Sequence, residues 1–339
     1  MEWTNQTSQH IAVSPVFPVI VLQLTIVIAL CMSLAGIFAN MYVICIIRQN
    51  KDMRTPSYIA IANLAVANLL LVIFYPLVTV VMLFHSSYNT YHSSSFIKYF
   101  LCGFIFPVTI TAMIAANATL TFIAYERYYV LTGETHSHRY LSRKKSAFVL
   151  LSIWIIAILH SFPPAFILMR KSTIANLCTM YAVSEHGRNI ILALSTLDVV
   201  IPFSLSLIFH TIIVVILRRH QYIPWIIPIK SNRIRPILPN RRPNQRIQNV
   251  IRMLQLITLL QFIFYSLWLL GSYCTSIGYA QKWNGYLVGF SNSLRFFAIV
   301  ISCLSSPIIY IIYLKKFRYP LVLYWINASQ LCHKNTNCE

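Results

Sequence analysis

TPSYIAIANLAVANLLLVIFYPLVTVVMLF, residues 55–84, runs for thirty residues without one Asp, Glu, Lys or Arg. A helix of that length more than crosses a hydrocarbon core, for which about 20 apolar residues suffice. In lipid a backbone must satisfy its own polar groups, so the stretch reads as a spanning helix despite its β-branched residues. Working outward, six similar stretches appear: about Val16–Ile47, Tyr99–Tyr125, Ser146–Met169, Asn189–Leu217 with the single acid Asp198, about Met253–Tyr279, and Tyr286–Leu314 with the single base Arg295. The expected fold is an all-α integral membrane protein, a seven-transmembrane helix bundle followed by a short amphipathic C-terminal helix.

Composition agrees. Of 339 residues 58% are apolar and 10% charged, with a mean hydropathy of +0.66, whereas soluble chains carry about 25% charged residues. The 27 Lys and Arg against 7 Asp and Glu give a net +20, which in a soluble protein would suggest a nucleic-acid binder. Their placement favours another reading. With the N-terminus outside, twenty-one of the 27 bases, including Arg48, Lys51, Arg54, Arg127, Arg143 and nine from Arg218 to Arg252, fall on the cytoplasmic side. This is the positive-inside signal, so membrane orientation explains the charge and no nucleic acid is expected as a partner. The bases also suit anionic inner-leaflet lipids.

The expected organisation is an extracellular tail over residues 1–18, a membrane domain over 19–314 containing a basic, proline-rich cytoplasmic loop at 218–252, and a cytoplasmic amphipathic helix and tail over 315–339. Asn5-Gln6-Thr7 is a glycosylation sequon on the outer side. The start Met1-Glu2-Trp3 has no basic n-region, so the first span is expected to act as its own signal anchor. Cys31, Cys45, Cys274 and Cys303 read as small apolar residues. Cys332 and Cys338 are either palmitoylated or plain thiols.

Short motifs recur at the span ends. The third span runs into Thr121-Phe122-Ile123-Ala124-Tyr125-Glu126-Arg127-Tyr128; the fourth holds Trp154 and Pro163-Pro164, the fifth Pro202, and the seventh Ser306-Pro307-Ile308-Ile309-Tyr310 followed by Lys315-Lys316-Phe317-Arg318. This set, in this order, resembles the rhodopsin-like (class A) family of G-protein-coupled receptors across roughly residues 18–325.

The resemblance implies a receptor, not an enzyme, that needs no cofactor or metal, sits in the plasma membrane, binds an extracellular ligand and activates a heterotrimeric G protein, with arrestin a further candidate partner. It implies a disulfide between Cys102 and Cys178. It gives Glu126 and Arg127 the resting-state lock at the inner face, with Tyr128 beside them, and makes Pro307 and Tyr310 an inward-swinging switch whose usual tyrosine partner is replaced by His210. It makes Phe264 and Trp268 the aromatic toggle beneath the ligand. Several positions depart from the family pattern: Leu270 replaces the proline after the toggle, leaving Gly271 to supply some of the bend; Val250 replaces an inner acid of the sixth helix; and Asn68, Ala116 and Ser306 leave the sodium site without a carboxylate. Asn40 is expected to hydrogen-bond toward Asn68.

For the ligand, Thr109 stands where amine receptors carry an aspartate, and Val300 stands where an opsin carries its retinal lysine. Candidate pocket residues are Thr109, Met113, Asp198, Trp268, Ser272, Arg295 and Phe296. Asp198 and Arg295 either pair with each other or receive a cationic and an anionic group of the ligand, with a protonated, structural Asp198 a third option. Tyr75-Pro76 resembles the kink of peptide-binding members, which puts a peptide first and a small organic ligand second. The competing classes are a receptor-like protein without coupling and a transporter or channel; the latter would show several intramembrane charges or a repeat. An enzyme would need a constellation such as HExxH or paired carboxylates, which the spans do not offer.

Overall fold

A computed structural model describes residues 16–88, 99–132, 142–171, 185–222, 245–280 and 285–320. They form seven long helices: α1 (Val16–Gln49), α2 (Pro56–Tyr88), α3 (Phe106–Thr132), α4 (Arg143–Lys171), α5 (Glu185–Tyr222), α6 (Gln245–Ala280) and α7 (Gly285–Tyr313). Among the described residues there is no strand, and all seven helices are long and apolar enough to cross a membrane. Both helices flanking the basic loop run past their apolar spans, α5 to Tyr222 and α6 from Gln245. Asn5, Cys178, Cys332, Cys338 and the side chain of Cys102 lie outside what is described.

The bundle is apolar on both faces. Phe38, Phe148, Leu159 and Phe290 are each about 70% exposed or more, an arrangement that only a lipid solvent makes favourable. Inside, one cluster in the half of the bundle that holds the C-terminal end of α3 gathers Val43, Ile61, Leu64, Ile123, Leu254 and Tyr310, and a second, in the opposite half, gathers Leu71, Met113, Val199, Tyr265 and Trp268. The strand of contacts runs through α3, which packs on α2, α4 and α5, while α7 packs on α1, α2 and α6.

Prolines within the spans remove backbone donors, and neighbouring helices supply replacements. Pro202 leaves the carbonyl of Asp198 without its helical partner, and Asn117 of α3 donates to it at 3.5 Å. Thr121, one turn further in, donates to the carbonyl of Pro202 at 2.9 Å. Pro307 frees the carbonyl of Cys303, and Asn40 of α1 donates to that oxygen at 3.2 Å as well as to Gly36 at 2.9 Å. Asn40 therefore serves the α7 kink and does not reach Asn68, which corrects the sequence expectation. Ahead of Pro107 the chain widens into a π-helical turn, Leu101–Ile105, which makes room for the proline ring.

A second polar staple joins three helices. Trp154 of α4 donates to Asn63 of α2 at 2.9 Å, and Asn63 donates to Thr119 of α3 at 2.8 Å. Beyond α7, residues 315–320 form a short helical turn with Lys315, Lys316, Arg318 and Tyr319 exposed and Phe317 fully buried. It is amphipathic in the sense expected.

Candidate functional site

At the inner end of α3 the carboxylate of Glu126 is completely buried, while Arg127 beside it stays partly exposed. A buried carboxylate is costly unless paired and hydrogen-bonded. Here Arg127 Nε lies 3.6 Å from Glu126 Oε2, and the Ser57 hydroxyl, 2.8 Å from both carboxylate oxygens, donates to them from the first turn of α2. The Glu126–Arg127 pair thus has a third member that no motif names. Ser57 is findable only as a hydroxyl one residue past Pro56, where a helix start leaves it facing α3. Tyr128 turns away toward α5 and packs on Phe209, ring centroids 5.7 Å apart.

Tyr310 is buried below the Pro307 kink and stacks on Phe317 at 5.9 Å, and Tyr58 packs tilted against the same ring at 6.4 Å. Tyr42 donates its hydroxyl to the Phe317 carbonyl. His210 holds the carbonyl of Ser206 through Nδ1 at 2.8 Å; its Nε2 and the Tyr310 hydroxyl are both buried without a hydrogen-bond partner. The two residues named as switch partners are therefore not joined here, and each keeps one polar atom unused. Such a pair of orphans has something to gain from meeting, directly or across a water.

At mid-bundle Gln261 of α6 bridges to α7. Its amide donates to the Ser302 carbonyl and to the Ser306 hydroxyl, each at 3.2 Å, and its carbonyl accepts from the Ser302 hydroxyl. Asn68 is fully buried with neither side-chain atom hydrogen-bonded, Ala116 adds no polar group, and Ser306 is engaged by Gln261. No anionic oxygen stands in this cluster, so its residues do not fit a cation. Gln261 is one of two amides, with Gln255, in the apolar stretch Met253–Tyr279, and an amide at that depth of a span is the signal by which sequence reasoning can single it out.

Toward the outer half, Trp268 is buried on α6 and donates its indole N–H to the Tyr75 hydroxyl of α2 at 3.2 Å; Phe264 packs against the same cluster, as does buried Met113. Leu270, which takes the place of the proline, is exposed to lipid. Gly271 meets α7 closely: a Cβ there would stand 2.5 Å from Arg295 Cγ and 2.9 Å from the Ser291 carbonyl. Its role is clearance for Arg295, where the sequence reading looks for a bend. Ser272 and Thr109 both donate back to their own helices, to Trp268 and Ile105. Phe296 is buried and stacks with Tyr75 at 6.0 Å.

The two outer charges do not form a pair. Asp198 Oδ2 lies 3.2 Å from Nε2 of His160 on α4, which the motifs do not point to. Arg295 extends over the Trp268 ring, 5.8 Å from its centroid, and donates to Asn292 at 3.4 Å. The physical reason is position. His160 of α4 reaches Asp198 on α5, whereas Arg295 sits on α7 among α2 and α6, so different neighbours claim them. A cation over an indole gains about 0.5–2 kcal/mol depending on desolvation, which partly offsets the burial of the guanidinium.

A sequence model of the 7 transmembrane receptor (rhodopsin family) matches residues 39–310. The chain belongs to this family. Among curated relatives, it is 33% identical to melanopsin of Mus musculus over 144 residues, 41% of this chain and 25% of melanopsin. It is 31% identical to a GQ-coupled rhodopsin of Mizuhopecten yessoensis over 40% of this chain and 26% of that protein, and 28% identical to 5-hydroxytryptamine receptor 1E of Homo sapiens over 53% and 49%. The matched segments thus span between a quarter and a half of those relatives' lengths. As a member of the rhodopsin family of seven-transmembrane receptors, the chain is a multi-pass membrane receptor and not an enzyme. The receptor carries no lysine anywhere in α7, so it has no amine there to hold a retinal as a Schiff base.

Proposed function

We propose that this receptor binds an extracellular ligand in the outer half of the bundle and drives nucleotide exchange on a heterotrimeric G protein at its inner face, by allostery and without chemistry of its own. The observation that carries the reading is the Ser57–Glu126–Arg127 lock: a buried carboxylate restrains a partly exposed guanidinium at the end of the central helix that the expected orientation places in the cytoplasm. Freeing Arg127 turns a resting surface into one that offers a cation to an inserted partner. The orientation that matches this, N-terminus outside in the plasma membrane and C-terminus cytoplasmic, is supported by the distribution of the 27 bases.

A peptide is the first choice of ligand and a small organic molecule the second. Pro76, inside α2 next to Tyr75, supports the former; the name of a relative, a 5-hydroxytryptamine receptor, illustrates the latter. An amine is disfavoured because Thr109 turns its hydroxyl to Ile105 and Asp198 is held by His160.

The test is a broad G-protein activation screen on the full chain with peptide and metabolite libraries, beside Arg127→Ala at matched surface expression. Exchange that rises with a library member and vanishes in Arg127→Ala supports coupling. Binding of a library member with no rise in exchange would point to the alternative, a receptor fold that binds without coupling. A ligand-evoked current or uptake in cells lacking G proteins would point to a transporter or channel.

A further inference from the structure

One guanidinium in the spans has no part in the inner switch. Arg295 lies within α7, where an uncompensated cation is costly, yet the partners it has among the described residues are neutral. Nη1 donates to the Asn292 carbonyl oxygen at 3.4 Å, a contact that Asn292 shares with Thr275 at 3.5 Å. Nε is buried and makes no hydrogen bond. The Trp268 ring lies beneath the guanidinium, and the Tyr75 hydroxyl lies within its reach. Of the seven acids in the chain, the two inside spans are committed elsewhere, Glu126 to Ser57 and Arg127, and Asp198 to His160.

The surrounding bundle is fitted to this side chain. Gly271 leaves out a Cβ where it would stand 2.5 Å from Arg295 Cγ, so α6 gives way to the arginine stem and lets the head reach the aromatic floor. A fork of N–H donors with one unused arm, a phenol beside it and rings below it match a flat, singly charged acceptor next to an apolar group. A phosphate carries more charge than one guanidinium balances.

We propose that Arg295 receives the carboxylate of the ligand, with Tyr75 as a second donor and Trp268 and Phe296 against the ligand's apolar part. The proposal rests on the outer half of the bundle being the ligand-binding end. A free peptide C-terminus and a small organic acid share this chemistry.

The test is thermal melting of the purified full-length receptor with two panels: arylalkyl carboxylic acids, each beside its primary amide, and short peptides with apolar last residues, each as free acid and as C-terminal amide. The expected result is that in at least one pair the acid raises the melting midpoint and its amide does not, and the panel that responds identifies the source. Arg295→Gln lowers the apparent affinity for that acid about 10- to 100-fold, the loss of a hydrogen-bonded charge. Arg295→Lys falls between, keeping the charge without the fork.

Acids that never exceed their amides overturn the proposal, and that is also the outcome if another acid of the chain, such as Glu185 at the start of α5, neutralises Arg295. So does an acid-induced shift that survives Arg295→Gln. Melting does not involve a G protein, so a receptor that fails to couple still gives a clear result here, and a coupled receptor indifferent to carboxylates loses only this inference.

Discussion

Asn40 and Asn68 are both fully buried asparagines, and their neighbours set them apart. Asn40 earns its place by donating to the carbonyl that Pro307 leaves open. Asn40→Leu strands that oxygen in an apolar interior, at a cost of about 1–3 kcal/mol, and should lower the melting midpoint in detergent; an unchanged midpoint would contradict the bond. Asn68 has no hydrogen bond and no carboxylate beside it. Replacing sodium chloride by choline chloride is therefore expected to leave the melting midpoint unmoved, and a sodium-specific rise would refute the absence of a cation site. The sequence singles out both asparagines but not their partners. A proline on one helix creates an acceptor for a side chain some 260 positions away in the chain, and no local pattern records that. The same limit hides Ser57 from Glu126 and His160 from Asp198, since which side chain meets a charge depends on helix rotation. Arg127, Trp268 and Arg295 were legible because charge or aromatic bulk at a marked depth of a span is itself the signal.

At the scale of the element, α6 differs most from the family pattern. It lacks the proline at Leu270 and the inner acid at Val250, which alone would suggest a loose helix and raised basal signalling. The structure adds a restraint that offsets this: the Gln261 amide clasps α7 through Ser302 and Ser306. Gln261→Leu is expected to raise basal nucleotide exchange several-fold over the parent at matched surface expression, with Arg127→Ala as the silent control. Equal basal exchange would rule out the clasp as a restraint. Further out on the same helix, Gly271→Ala pushes a Cβ into the Arg295 stem, an overpacking that costs about 1–3 kcal/mol and should appear as a lower melting midpoint. The helices themselves were legible because lipid removes the ambiguity of soluble sequences: charge-free length is enough. The ends of α5 and α6 beside the basic loop were less so, because both helices continue into basic sequence.

For the whole molecule the decisive asymmetry is electrical. The net charge of +20 gathers at the faces assigned to the cytoplasm, so orientation predicts that a C-terminal epitope is detected only after permeabilisation and that Asn5→Gln abolishes an enzymatically removable glycan. An epitope detected on intact cells would invert the assignment and place Arg127 on the wrong side for a G protein.

The pair of bonds from Asn117 and Thr121 to the backbone of α5 has a mechanical meaning. They fasten two helices at the one level where the proline has already softened the second. α5 can then flex above and below that level without sliding along α3, which makes Pro202 a fulcrum. A push of one or two ångströms near Asp198 would emerge as a sideways swing of the long inner arm that ends at Tyr222, and the stiffness of the pin, more than the strength of the push, would set how far that arm travels.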